Sequence, residues 1–381
     1  MWRHPEFWLC AWTAAAAAWW LIALSLVGRD RRARRAVAST ANPTLSIFKP
    51  VPSVHDDSLF AAVQSFINQL DDRTELLLGI EEQHVARWKS LRSDRVKLVC
   101  APRPAQFLSP KVSWFHTLAQ HASGELWMWS DADMVLPAGG LQAMRAEFAS
   151  SGCALLTTPY VVLQASGPAL LEALFVNVEF YPGVQLLKRM AGGPRFVVAA
   201  GTTRTRRSAS LHFNFAMGAG MMFRADDFRE RVNWDALGCR LADDNLLGKT
   251  LTPVKVSELT LETLPASRSW GDAMSHYARW QKTVRWCRPR GYAAQLLIMP
   301  ALGWLAFGSW VGLVVTMQME VMVAWLLCRQ VGCRVGNVWA LELWSAMRAV
   351  TWLACWLPWP VTFRSQRRKW WSLYRSEPLV R

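Results

Sequence analysis

Apolar residues follow two kinds of pattern along the chain, and these separate membrane-type from globular-type regions. From Phe7 to Val27 a run of 21 residues carries no charge. A helix of that length crosses a hydrocarbon core of about 30 Å. Arg29-Asp30-Arg31-Arg32-Ala33-Arg34-Arg35 follows at once, and basic clusters beside a span favour the cytosolic side. A cleaved signal peptide has its basic residues before the apolar run. Here they come after it, so the run reads as a retained anchor with the N-terminus outside and the rest of the chain inside.

From residue 44 to about 290 the pattern changes. Leu45-Ser46-Ile47-Phe48, Glu75 to Ile80, Val96 to Cys100 and Glu125 to Ser130 are short apolar runs with strand character. Leu59 to Leu70 and Ser113 to His121 carry helical spacing. Strands alternating with helices predict an α/β fold with a mainly parallel sheet. Ligands bind such sheets at the carboxyl ends of the strands. The acidic pairs Glu81-Glu82 and Asp131-Ala132-Asp133 each follow a strand, so both fall where a ligand is expected.

Tyr292 to Cys328 is apolar again, too long for one straight span and short for two. It contains Gln295, Pro300, Gln318 and Glu320, which predicts a kinked or interfacial piece. Val338 to Val361 is a further candidate span carrying Glu342 and Arg348. Intramembrane charges face protein rather than lipid, and Glu320 and Arg348 are candidate partners. The tail from Arg364 to Trp371 is basic and Trp-rich, which suits an anionic membrane surface on the inside. The predicted organisation is an anchor over 1–28, a basic cytosolic linker over 29–43, a globular domain over 44–290, a membrane region of about two spans over 291–361 and a basic cytosolic tail over 362–381.

Composition sharpens this picture. The 381 residues include 23 Trp and a formal net charge of +15. Trp favours membrane–water interfaces, and the positive balance suits anionic lipid, nucleotides or nucleic acid. Nucleic acid has only the net charge and the Arg204, Arg206 and Arg207 cluster behind it, with no recognition motif, so the expectation is no nucleic-acid partner. The eight Cys contain no C-x-x-C pair. That argues against a zinc cluster and for reduced thiols. His116 and His212 read as ordinary polar positions.

Three elements carry candidate chemistry. Asp131 and Asp133, at i and i+2 after a strand, suit a hard divalent cation and a ribose; the plain alternative is a solvated turn. In Leu241-Ala242-Asp243-Asp244, a carboxylate aimed at an acceptor hydroxyl is a general base. The alternative is a helix cap, with Asp243 capping while Asp244 faces a pocket. On a helix, His276, Arg279 and Trp280 share one face. Arg suits a departing phosphate, Trp offers a flat wall, and Arg285 and Arg288 follow. A basic interfacial helix is the alternative.

The order of these pieces resembles the ceramide glucosyltransferases and related bacterial hopanoid glycosyltransferases, glycosyltransferase family 21 within the family-2 type of GT-A fold. The resemblance runs from about residue 44 to about residue 300. It rests on Phe48-Lys49-Pro50, Ser109-Pro110-Lys111-Val112-Ser113, Asp131-Ala132-Asp133, Met217-Gly218-Ala219-Gly220, Ala242-Asp243-Asp244 and His276-x-x-Arg279-Trp280. It implies a membrane-bound, inverting enzyme that moves a hexose or N-acetylhexosamine from a UDP-sugar to a lipid hydroxyl, with its catalytic domain cytosolic. A divalent cation, Mg2+ or Mn2+, is implied at Asp131 and Asp133. Asp244, with Asp243, takes the catalytic role. Lys49, Glu81, Glu82, Lys111, Asp131, Asp133, Arg279 and Trp280 fall on the donor side, and Gly218, Gly220, His276 and Trp280 on the acceptor side. Glu82 stands where the family has an aspartate, His276 where it has Gln or Arg, and Ser113 where it has Asn. Residues 202–215 look like an insertion. Two other readings remain: a processive polysaccharide synthase of the same fold, and a degenerate membrane protein that binds lipid or nucleotide.

Overall fold

A computed structural model describes residues 5–30, 43–51, 57–102, 106–191, 214–240, 242–265, 269–357, 361–363 and 366–368. The basic run after Arg29 up to Arg35, Leu241, His212 and the Arg204, Arg206 and Arg207 cluster lie outside these residues.

The globular part is built on a seven-stranded sheet. Its strands are β1 (Leu45–Val51), β2 (Thr74–Glu81), β3 (Val96–Ala101), β4 (Leu126–Ser130), β6 (Leu155–Thr157), β8 (Gly220–Arg224) and β9 (Val254–Val256), in the order β3-β2-β1-β4-β8-β6-β9. β1 pairs in parallel with β2 and β4, and β2 with β3; only β8 runs against its neighbours. A small second sheet joins β5 (Met134–Val135), β10 (Leu261–Thr263) and β7 (Tyr160–Val161). The expected α/β fold with a mainly parallel sheet is what forms.

Alternation along the strands explains why both faces are covered. Ile47, Leu76, Leu78 and Met128 point into one apolar cluster. Phe48, Leu77, Trp127 and Trp129 point into another. Strands buried on both faces read as nearly continuous apolar runs, as these do. Pro50 is tolerated in a central strand because the pairing of β1 with β4 ends at Phe48, leaving the proline no ladder bond to break on that side. The helix Pro110–Ala119 covers the second face with Val112, Phe115 and Leu118. It starts with Ser109 as N-cap and Pro110 in its first turn, where a missing N–H costs nothing.

A third apolar cluster binds the N-terminal and C-terminal helices into a bundle beside the sheet. Trp20, Ala23 and Val27 of the helix Pro5–Asp30 meet Leu171, Leu174 and Val178, Tyr277, Leu327 and Trp344. Among the described residues three helices are long and apolar enough to cross a membrane: Pro5–Arg29, Ala169–Met190 and Trp310–Val331. The first was expected. The second was not, because its residues were read as part of the globular pattern; it is mostly buried within the protein and widens to a π-helical stretch at Phe175–Phe180. Outward-facing Trp310, Val311 and Trp339 are 72%, 77% and 80% exposed, a surface that suits lipid.

The apolar stretch from 292 onward is broken, as Pro300 and its polar residues lead one to expect. It comprises Pro289–Ala294, one turn at Gln295–Ile298, Pro300–Phe307, a left-handed Gly308, and then Trp310–Val331. The run from 338 to 361 is not one helix. It is helical over Val338–Ala354, 17 residues, and Val361–Phe363 forms a strand paired with Gln366–Arg368. Pro358 and Pro360 in the sequence cannot extend a helix. Glu320 and Arg348 pair at 3.5 Å, both buried, as expected of charges within an apolar bundle.

Candidate active site

Asp131 and Asp133 stand in the turn between β4 and β5, at the carboxyl end of the parallel strands. The loop is held from below. Lys49, fully buried on β1, donates to the carbonyl oxygens of Asp131 at 2.8 Å and Met134 at 3.0 Å. Its ammonium also sits 4.2 Å from the Phe66 ring. Burial pulls its pKa down to about 7 against the pull of Asp133 and Asp131. Asp133 accepts from the Thr263 hydroxyl of β10 at 3.1 Å. Burial and then the Asp131 charge push its pKa up to about 6.

Lys111 enters from the first turn of the Pro110–Ala119 helix. Its ammonium lies 2.6 Å from Asp131 and 3.7 Å from Asp243. Burial opposes its charge, but Asp131, Asp243 and Asp244 outweigh burial and hold the pKa well above the ordinary lysine range.

Asp243 and Asp244 open the helix Asp243–Thr250. The expectation that Asp243 caps this helix is corrected: Ala242 holds the N-cap position, and the Asp243 carboxylate is turned to Lys111. Asp244 Oδ2 accepts from the Gly218 N–H at 3.0 Å and Oδ1 from the Asn245 N–H at 2.7 Å. Burial, then the Asp243 charge, raises the Asp244 pKa to about 6. Asp243 is raised as well, chiefly by burial. Gly218 is needed at the centre of this group. A Cβ there would lie 2.9 Å from Lys111 Nζ and 3.4 Å from Asp244 Oδ2, closer than a carbon approaches a held ammonium.

The helix Trp270–Cys287, capped by Ser269, closes the other side. His276, Arg279 and Trp280 line one cleft together with Lys111, Asp131, Asp133, Asp243, Asp244 and Gly218; the cavity measures about 510 Å³. Trp280 stacks on Phe175 with ring centres 4.7 Å apart, and His276 meets the Glu172 carboxylate at 2.6 Å. The wall between the acidic end and this helix is apolar, with Val162, Phe175, Val176, Phe180 and Phe215.

Four sequence-predicted residues are not brought into the cleft. Lys49 lies beneath the Asp131 loop, because its ammonium is used on the two carbonyls. Gly220 is a buried residue of β8, registered against Ser130. Glu81 is buried at the end of β2 and accepts from Gln83 at 3.1 Å, while Glu82 is exposed. Both stand at the strand end, one strand beyond β1 from Asp131, and neither lines the cavity. Sequence reasoning missed Glu172, Phe175, Tyr160 and Thr263. Glu172 had only a weak signal, a carboxylate among apolar residues, shared with Glu179 in the same Ala169–Met190 run. The other three had none.

The site suits a divalent cation. Three carboxylates, Asp131, Asp243 and Asp244, act on the one lysine Lys111, and Asp243 Oδ2 is buried without a hydrogen-bond donor among the described residues. No set of three His, Cys, Asp or Glu side chains is assembled to hold a metal among the described residues. Asp131 and Asp133 would hold such a cation, and its remaining ligands would have to come from a bound diphosphate or water, as is usual for Mg2+ at phosphates.

The profile of glycosyl transferase family 21 matches residues 8–370, and the chain belongs to that family. Among solved structures it is similar to the mannosyltransferase PcManGT from Pyrobaculum calidifontis in complex with GDP-Man and Mn2+. The two share 14% identity and a TM-score of 0.52, over 92% of this chain and 99% of that one. No curated protein matches the chain in sequence.

Proposed function

We propose that the protein transfers a hexose or N-acetylhexosamine from a UDP-sugar, with inversion, to the hydroxyl of a membrane lipid of the ceramide or hopanoid kind. The domain over 44–290 faces the cytosol, tethered by the anchor over 1–28 and the membrane region over 291–361. One observation carries the reading. Asp131, Asp133, Asp244 and Arg279, far apart in sequence, line a single cleft with an apolar wall. The polar end fits a nucleotide diphosphate, and the apolar wall fits a lipid chain.

Asp244 is the base that accepts the proton of the lipid hydroxyl, with Gly218 and Asn245 fixing its two oxygens. Asp243 and Lys111 set its charge. Arg279 stabilises the departing diphosphate, because paired N–H donors match phosphate oxygens. Trp280, stacked on Phe175, gives the acceptor a flat surface. Mg2+ or Mn2+ at Asp131 and Asp133 supplies Lewis-acid stabilisation of the leaving group when bound. The similar archaeal structure holds GDP-Man and Mn2+, which supports a cation and makes GDP-mannose the donor to test against UDP-sugars.

The test is purified protein in lipid nanodiscs with Mn2+, offered each UDP-sugar and GDP-mannose with ceramide, hopanoid or diacylglycerol. Nucleotide release and a lipid bearing one added sugar, seen by mass spectrometry, are expected. Long sugar chains would point instead to a processive synthase, and no product with any acceptor would refute the reading.

A further inference from the structure

We infer that Glu179 is a positioning residue which, from within the apolar bundle, fixes the helix that carries Arg279 and Trp280 into the cleft. Glu179 lies in the π-helical stretch Phe175–Phe180. Its Oε1 accepts from the Tyr277 hydroxyl at 2.9 Å and from the Trp344 indole at 3.0 Å, and its Oε2 accepts from the Gln281 amide at 3.0 Å. One carboxylate thus joins three elements: its own helix, Trp270–Cys287 and Val338–Ala354. Tyr277 and Gln281 are one turn apart and flank Arg279 and Trp280 in sequence. All three donors are buried, Gln281 completely.

The bundle gives this geometry its purpose. Apolar contacts between helices are non-directional and tolerate sliding and rotation. Hydrogen bonds to a carboxylate are directional and about twice as strong as neutral ones. Two of them, from residues one turn apart, fix both the height and the rotation of the Trp270–Cys287 helix, and the third, from Trp344, ties that setting to the Val338–Ala354 helix. Rotation decides whether Arg279 meets the acidic end of the cleft, and misplacement by about 1 Å costs roughly a hundredfold in rate. The network continues into the bundle, where Arg348 stacks near Trp344 and pairs with Glu320. The packing of the membrane helices and the setting of the site helix are therefore mechanically joined at Glu179.

This inference rests on the proposed role of Arg279 at the diphosphate. The test uses the full chain in nanodiscs with Mn2+, measuring UDP affinity by calorimetry and kcat by nucleotide release. The variants are Glu179→Ala, Arg279→Ala, their double, and the exchange Glu179→Gln with Gln281→Glu. Glu179→Ala is expected to lower kcat about 10–100-fold and to weaken UDP binding. Adding it to Arg279→Ala is expected to change little further, because residues acting as a unit are non-additive. The exchange restores an amide–carboxylate bond and is expected to recover about tenfold in kcat. Additive losses, a Glu179→Ala kcat within about twofold of native, or no recovery in the exchange would overturn the inference. If Glu179→Ala does not fold, Tyr277→Phe, which removes one donor, decides by the same cycle: non-additivity with Arg279→Ala supports the inference, and additivity or a native kcat overturns it. Arg279→Ala with native UDP affinity and kcat would instead remove the reading of Arg279, and the inference with it.

Discussion

Asp244 accepts two backbone N–H bonds and still has its pKa lifted to about 6, because burial and Asp243 outweigh them. A base acts only when ionised, so the fraction of competent enzyme falls as pH drops through that value. The expected kcat profile rises with pH below about 6 and is flat above it, up to the limit set by other groups. Asp244→Asn is expected to lower transfer about 10²–10⁴-fold above pH 6, with the gap narrowing on the acid limb where the native base is protonated, while UDP binding stays near native. Transfer at the native rate would dismiss Asp244 as the base. Lys111 supplies the opposing charge. Lys111→Met removes the cation that favours ionisation of Asp243 and Asp244, so the acid limb is expected to move above pH 6; an unmoved limb would show that Lys111 does not control the base.

At the same scale, the sequence disclosed the acidic pairs and the His276, Arg279, Trp280 face, because their spacing on a strand end or a helix fixes where they point. It misplaced Lys49, since nothing in Phe48-Lys49-Pro50 tells whether a lysine in a central strand reaches a ligand or two buried carbonyls. Glu172 went unseen because its partner His276 is 104 residues away. Long-range pairing of that kind leaves no local pattern.

Elements set the directions from which these residues arrive. The Pro110–Ala119 helix presents Lys111 from its first turn because Ser109 caps it, accepting from Val112 N–H, and Pro110 begins it. Ser113 anchors the incoming chain by accepting from the Phe107 N–H at 3.0 Å, so the serine found where the family has asparagine keeps a structural task. Ser109→Ala is expected to cost about 1 kcal/mol of stability, read as a fall in thermal midpoint, with a native acid limb in the pH profile. A shifted limb in that variant would mean that the cap also tunes the charge at the site. Strand and helix positions were legible to within a few residues, since alternation and helical spacing are local. The helix over Ala169–Met190 was not, because an apolar helix buried in protein and one lying in lipid share the same composition.

For the whole molecule, the question is which side of the bilayer the cleft faces. The bundle meets the second sheet through Val161 of β7 and the following Val162, which join the apolar cluster around Val178. The cleft borders that bundle through Phe175 and Trp280. In the proposed reaction a lipid hydroxyl needs only to rise from the membrane surface along the apolar wall, while the nucleotide enters from water at the strand ends. In the proposed orientation, which the arginines after the first span favour in sequence, this water is on the cytosolic side. Cys100 and Cys239 are exposed thiols on the globular part, and they report the side directly. In sealed cells a membrane-impermeant maleimide is expected to leave both unlabelled, and to label both once the membrane is permeabilised. Labelling of Cys100 or Cys239 in sealed cells would reverse the orientation. It would also require the donor nucleotide to be supplied from outside, where activated sugars are not made, and the sugar-transfer reaction proposed for this cleft would lose its source of substrate.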